Sequence, residues 1–333
     1  MNVIFVRLAR FGAVRALAVV MLGAWVRLHD AGLGCPDWPG CYGKLVVPDS
    51  ATAAQDPGFA ARPLVAAKAW REMIHRYLAG TLVLVCVALG ALAWRNRKDP
   101  RQPWRRPLAL IGLIVFQALL GMWTVTLLLK PLIVVAHLVG GMTTLALLWW
   151  LALGRPTVPG PGPDSRLRRW VTVGLVVLAL QIMLGGWVSS NYAALACPDF
   201  PTCQKTFWPH MDVKDAFVLW RGLGIDYEGG VLDHPARVAI HFAHRLGAIV
   251  TAVVLGCVAW LAVRDGSSRE LRIAGLALAG VLCTQLVLGP TMVLETLPLA
   301  LATAHNAVAA LLLISVLAVL RYAWSPAGPL RRR

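Results

Sequence analysis

Apolar residues in this chain arrive in runs of about 16 to 24, separated by shorter polar and mostly basic stretches. A bilayer core of ~30 Å takes ~20 residues of α-helix. Eight segments reach that length, roughly 9–27, 73–94, 108–129, 132–153, 170–189, 238–263, 271–294 and 297–320. The pattern predicts an all-α integral membrane protein and excludes both a soluble globular domain and a disordered chain. The first segment is the weakest, because Arg15 interrupts it. With Arg7 and Arg10 as a basic leader, it also has the form of a signal peptide.

Charge orients the predicted spans. The termini and the loops near 95–106, 155–169 and 264–272 carry 20 basic and 4 acidic residues, whereas the opposite loops carry 12 of each. The net charge of +16 therefore falls on one face, which the positive-inside rule makes cytoplasmic, with both termini there. Trp25, Trp70, Trp123 and Trp187 then fall at the outer boundary, and Trp94, Trp149, Trp150 and Trp260 at the inner one, as an aromatic belt. The basic patches are explained without nucleic acid.

The halves of the chain repeat each other. Gly23-Ala24-Trp25-Val26 returns as Gly185-Gly186-Trp187-Val188, and the Cys35–Cys41 loop returns as Cys197–Cys203, both at an offset of 162. His75-Arg76 returns as His244-Arg245 at 169. Gln117, Gly121 and His137 return as Gln285, Gly289 and His305 at 168. Each unit holds four predicted helices, so the chain re-enters on the same side and the repeats are parallel. The first weak segment is thereby matched to the unambiguous span 171–188 and favoured as a span over a leader. The expected domains are an N-terminal four-helix bundle (1–154), a Pro/Gly-rich cytoplasmic linker (155–169) and a C-terminal four-helix bundle (170–333).

Four of the eight histidines, His75, His137, His244 and His305, open predicted helices within about two turns of the outer boundary. Ionisable side chains at such depth are costly and usually functional. Two imidazoles from two helices of one bundle suit the axial ligation of a haem iron in each half. Interhelical hydrogen bonding would also employ them. Gly121, Gly140, Gly141, Gly185, Gly186 and Gly289 either make room for a macrocycle or let helices pack closely. Arg76 and Arg245, next to two of the histidines, either pair with a propionate carboxylate or snorkel to the interface.

Each Cys-x5-Cys loop lies on the predicted outer face, where a disulfide is expected. A redox-active dithiol or a metal site would use the same residues. Cys86, Cys257 and Cys283 fall within helices as small core residues. Glu72 breaks the repeat, since it lies one turn before His75 while its counterpart is His241. It is either a solvated acid, a partner of Arg71 or Arg76, or a catalytic group present in only one half.

These residues together resemble the haem A synthase family of eight-helix membrane proteins: Glu72-x-x-His75-Arg76, the Cys35–Cys41 loop after Gly32-Leu33, His137, the His244-Arg245 dyad and His305. The resemblance covers essentially the whole chain. It implies oxidation of the ring methyl at position 8 of haem O to a formyl group, by successive hydroxylations and loss of water, to give haem A for a terminal oxidase. It further implies that His75 and His137 bracket haem O or haem A, that His244 and His305 ligate a haem b, and that Glu72 matches the family's acidic residue, a candidate for catalysis near the reacting methyl as a base or as an electrostatic stabiliser. Cys35–Cys41 would take part in electron or substrate transfer, and Cys197–Cys203 would be structural. The setting implied is a bacterial-type inner membrane, with the enzyme that makes haem O as donor, oxidase assembly factors as acceptors, and a homo-oligomer compatible with the sequence. Two positions depart from the pattern: His29 stands where a small hydroxyl residue is expected, and His241 offers an alternative ligand one turn from His244. A non-catalytic bis-histidine cytochrome b carrying electrons is the rival reading, and it would not need Glu72.

Overall fold

The computed structural model describes residues 3–50, 57–60, 62–154, 165–264 and 268–324. The architecture is all-α, with no β-strand among the described residues beyond two isolated bridges in the cysteine loops. The long helices are α1 (Val3–Leu28), α2 (Ala66–Arg95), α3 (Arg105–Thr126), α4 (Pro131–Ala152), α5 (Ser165–Ser190), α6 (His234–Arg264), α7 (Arg269–Leu294) and α8 (Leu299–Ala323). Seven of them, α2 to α8, are long and apolar enough to cross a membrane. Leu84, Val176, Ile249, Val253 and Val287 are more than half exposed on the sides of these helices. Helices apolar on every side belong in lipid.

Start and stop signals explain the boundaries. Pro131 occupies the first turn of α4, where its missing N–H costs nothing. Ser268 caps α7 by accepting from the backbone of Leu271 at 3.2 Å. The sequence pattern extends the third span to 129, but α3 ends at Thr126. Leu128 and Leu129 adopt left-handed φ values of 52° and 59°, and the Leu129 N–H closes the helix end on Thr124. Thr296 and Leu297 do the same after α7, with φ of 58° and 65°. Apolar residues in a left-handed turn give no composition signal, so the hairpins were hidden. The expected linker 155–169 lies outside the described residues as far as 164, and α5 already begins at Ser165.

Each half closes as a ring of four helices. In one, α1 packs on α2, α2 on α3, α3 on α4 and α4 on α1; in the other, α5 packs on α6, α6 on α7, α7 on α8 and α8 on α5. The halves meet through α1, α4, α5 and α8. Away from the cysteine loops, Trp149 donates to the Ile314 carbonyl at 3.0 Å and Arg321 to that of Gly154 at 2.9 Å. At the loop end, Arg27 donates to the Ser189 carbonyl at 2.6 Å and lies over the Tyr192 ring. Trp187, expected in a surface belt, is instead buried and donates to the Ala216 carbonyl at 2.9 Å. Arg15, the charge that interrupts the first span, donates from Nε to Thr81 of α2 at 3.1 Å.

One apolar core runs through both halves at the end remote from the cysteine loops. In the four histidine-bearing helices it begins only beyond the histidine: Leu82 after His75, Met142 after His137, Leu255 after His244 and Ala310 after His305. The histidines thus form a layer between the loops and the packed core.

Candidate functional site

Each histidine of this layer rests on a glycine from a neighbouring helix. A Cβ at Gly23 would lie 3.0 Å from Cε1 of His75, at Gly121 3.2 Å from His137, at Gly185 3.3 Å from His244 and at Gly289 3.5 Å from His305. A side chain at Gly23, Gly121 or Gly185 would crowd its imidazole, most of all at Gly23, whereas at Gly289 a methyl would be in ordinary contact. The glycines therefore set ring position, which narrows the two readings of Gly121, Gly185 and Gly289 left open by the sequence. Gly186 belongs to helix packing, since a Cβ there would meet Leu138 at 2.8 Å.

All four histidines are half-buried inside the bundles. His137 lies within electrostatic range of His75, and His244 of His305. Nδ1 of His75, His137 and His305 is buried without a hydrogen-bond partner, which is costly for an isolated protein group. The donor set is two imidazoles per half. Among the described residues no three His, Cys, Asp or Glu side chains cluster as a metal site would need. A group with its own equatorial donors that asks the protein for two axial nitrogens fits this arrangement. A zinc site does not.

Glu72 is buried, at 5% exposure. Its carboxylate accepts the Cys35 N–H at 2.9 Å and a short charge-assisted bond from Arg76 one turn on. Of the partners considered from sequence, Arg76 is the one engaged. Arg76 also donates to the carbonyls of Asp37 at 2.9 Å and Pro39 at 3.2 Å, and to that of Gly40. Arg245 treats the second loop likewise, donating to Thr202 at 2.7 Å and to Cys197 and Asp199 at 2.8 Å each. In this structure both guanidiniums clamp the cysteine loops, a task the sequence gave no sign of. A fixed fork of donors suits several carbonyls at once.

Both loops are disulfide-bonded, Cys35 to Cys41 and Cys197 to Cys203, with Cα separations of 4.8 and 4.6 Å. Within each, an aspartate side chain accepts two successive backbone N–H groups: Asp37 from Tyr42 and Gly43, Asp199 from Gln204 and Lys205. Thr202 adds a hydroxyl donor to Asp199, holding that carboxyl below the usual aspartate range. The first loop packs on Ala69 and Met73 of α2, the second on Val238 and Phe242 of α6. Burial under the first loop raises the Tyr42 hydroxyl above the ordinary tyrosine value. Cys86 is buried as expected, but Cys283 is exposed on the flank of α7 rather than in the core.

The two departures from the pattern have structural answers. His29 hydrogen-bonds through Nδ1 to the Trp25 carbonyl at 2.9 Å, and Asn191, its counterpart, donates to the Trp187 carbonyl at 3.0 Å. Each adds a side-chain bond to a carbonyl at a helix end that already accepts the backbone N–H of the same residue. His241 is buried, and its Nδ1 bonds the Ala193 carbonyl at 2.9 Å, turned towards the loop base. Sequence reasoning missed Lys130, almost wholly buried and bonded to the Gly222 carbonyl, with its ammonium 3.6 Å from the Trp220 ring centroid. It also missed the crossing of segment 217–230 to the other half, where Arg62 and Lys68 pair with Asp226 and Glu228.

Two helical rings, each holding two imidazoles over glycines, make this an all-α protein with a matched pair of candidate ligand histidines in each half. The chain belongs to the COX15-CtaA family, described as cytochrome oxidase assembly protein, whose model matches residues 7–317. It is 44% identical over 322 residues to the heme A synthase of Shewanella oneidensis, covering 95% of this chain and 96% of that one. It is also 30% identical over 346 residues to the heme A synthase of Caulobacter vibrioides, covering 95% and 94%.

Proposed function

We propose that this protein is an oxidoreductase that converts haem O to haem A, taking the position-8 methyl to a formyl group through two hydroxylations and loss of water. The observation that carries the reading is Glu72. It is a buried carboxylate held by the Cys35 N–H and Arg76, one turn before His75, with no acid at the corresponding place in the other half. Family membership and the 44% relative support it.

In this reading the N-terminal bundle (1–154) is the reaction chamber. His75 and His137 would hold the substrate haem. Glu72, one turn before His75, would be a fixed negative charge that stabilises positive character developing as the methyl is oxidised. The Cys35 N–H and Arg76 keep it from swinging. In the C-terminal bundle (170–333), His244 and His305 would hold haem b, which would supply one-electron chemistry. Arg76 and Arg245 fix the loops over the two histidine layers. Pairing with propionates would add to that role wherever donor hydrogens remain.

The protein lies in a bacterial-type inner membrane with eight spans, α1 included, and both termini in the cytoplasm. The cysteine loops face outward, and the halves descend from a parallel duplication. The charge asymmetry supports the orientation. The enzyme that supplies haem O and the factors that receive haem A are the expected partners, and self-association is compatible with the lipid-facing surface.

The test is extraction of pigment from purified protein with identification of each haem. Haem b together with haem O or haem A is expected, and Glu72→Gln should accumulate haem O or a partly oxidised product. Haem b alone in cells that make haem O would overturn the proposal in favour of an electron carrier.

A further inference from the structure

At its cysteine-loop end the N-terminal ring is crossed by chain from the other half. Tyr227 is buried beside Leu33, Val125 and Leu129, and its backbone N–H donates to the Leu128 carbonyl at 3.1 Å. Its two neighbours bind cations of the N-terminal half: Asp226 takes Arg62 at 2.5 Å, and Glu228 takes Arg62 and Lys68 at 3.3 Å each. Lys130 donates to the Gly222 carbonyl. Lys68 lies seven residues before His75, and Lys130 seven before His137. Both cations therefore stand about two helical turns, or ~10 Å, to the loop side of a layer histidine. Helices α2 and α4 are opposite members of the ring, so a segment tied to the starts of both runs across its opening.

The segment is built to move. Gly222 and Gly229 bracket residues 223–228 with φ of 91° and 82°, and nothing lies within 4 Å of where their Cβ atoms would be. Left-handed backbone, and not crowding, calls for glycine at both points, which makes them hinges for the six residues between. The ion pairs that hold those residues are partly open to solvent, and such pairs break cheaply. The chain from the second loop cysteine to the His-Arg dyad is also seven residues longer in the second half, the step in repeat offset from 162 to 169. That added length is what a segment needs to reach the other ring.

We infer that residues 223–228 form a flap over the N-terminal histidine pair, with Tyr227 as its plug, and that opening of the flap sets the rate at which haem enters and leaves that half. The inference rests on the proposed function, in which the N-terminal half exchanges substrate for product. Closed, the flap shields the histidine layer from the loop side. Opening lifts Tyr227 from its apolar seat and parts Asp226 and Glu228 from Arg62 and Lys68, with no change in either helical ring. The half that keeps its cofactor thus supplies the door of the half that must exchange its contents.

The test uses full-length purified protein carrying haem b and loaded with haem O, and follows transfer of each pigment to apomyoglobin. Asp226→Asn combined with Glu228→Gln keeps the size of both side chains and removes their charge. Haem O should then leave about fivefold faster, as the loss of two partly exposed ion-pair sites allows, while haem b leaves at its former rate. In the opposite direction, a water-soluble carbodiimide can join Glu228 to Lys68, forming an amide while the lost carboxylate oxygen departs in the urea. That cross-link should slow haem O. Lys68→Arg keeps the ion pair but offers no amine, so the reagent should leave its transfer rate unaltered. Haem O transfer that neither the charge variant nor the cross-link changes overturns the flap. Equal acceleration of both haems in the charge variant overturns it too, making the segment a general brace between halves. If that variant fails to fold, the cross-link decides alone. Haem O bound as well by a His75→Ala, His137→Ala variant overturns the ligand reading itself, and the flap with it.

Discussion

The Cβ position of Gly23 in α1 lies 3.0 Å from Cε1 of His75 in α2, closer than any of the other three glycines comes to its histidine. That ordering predicts a graded series. Gly23→Ala should lower N-terminal-half haem occupancy severalfold, Gly121→Ala and Gly185→Ala less, and Gly289→Ala least, because at 3.5 Å a methyl is in ordinary contact. Haem stoichiometry after purification measures it. A Gly289→Ala variant that loses more haem than Gly23→Ala would show that the glycines serve helix packing alone.

Glu72 and Arg76 form a buried pair, and the cost of breaking it depends on which partner is removed. Arg76→Ala strands a carboxylate and opens three loop carbonyls, so it should destabilise by about 3–5 kcal/mol. Glu72→Gln in the same chain should recover part of that loss, making the double change less than additive. Thermal unfolding in detergent for the four members of the cycle checks this. Strict additivity would mean that the ion pair contributes nothing.

Asp199 gives the second cysteine loop a pH dependence of known sign. Its carboxyl titrates below the ordinary aspartate value because Thr202 and two backbone N–H groups hold the charged form. The stabilisation is therefore complete above about pH 4 and is lost as pH falls through the lower, folded value. Thr202→Val should move that loss to higher pH. The rate at which a phosphine reductant opens Cys197–Cys203 across pH 2 to 6 reads it directly, and a profile identical to that of the unaltered protein would contradict the assignment.

Lys130 fastens segment 217–230 of one half to the hairpin before α4 of the other through the Gly222 carbonyl and the Trp220 ring. Lys130→Met keeps the apolar stem but removes the ammonium. Trypsin should then cut after Arg221 roughly ten times faster, the factor expected if local opening becomes easier by about 1.4 kcal/mol. Unchanged cleavage would mean that the ion pairs of Arg62 and Lys68 hold the segment by themselves.

The helices and the four histidines were legible because each leaves a local mark: a long apolar run, or an ionisable residue inside one. What was not legible depends on backbone atoms that sequence does not display. Arg76 and Arg245 look like interfacial cations until the loop carbonyls they serve are seen. Trp187 looks like a belt residue until Ala216, brought over it by a one-turn helix at Val213–Ala216, accepts its N–H. Leu128 and Leu129 look like helix and are a turn. Glu72 stood out for the opposite reason. A duplicated sequence supplies its own control, and an acid facing a histidine across the repeat is visible without coordinates.

The halves are pinned at both ends, by Trp149 and Arg321 at one and by Arg27 at the other. Two chambers bolted together in this way cannot drift apart or tilt when one of them is emptied and refilled. On the proposed function, an electron passing between them would meet the same gap on every turnover, whichever chamber exchanges its contents.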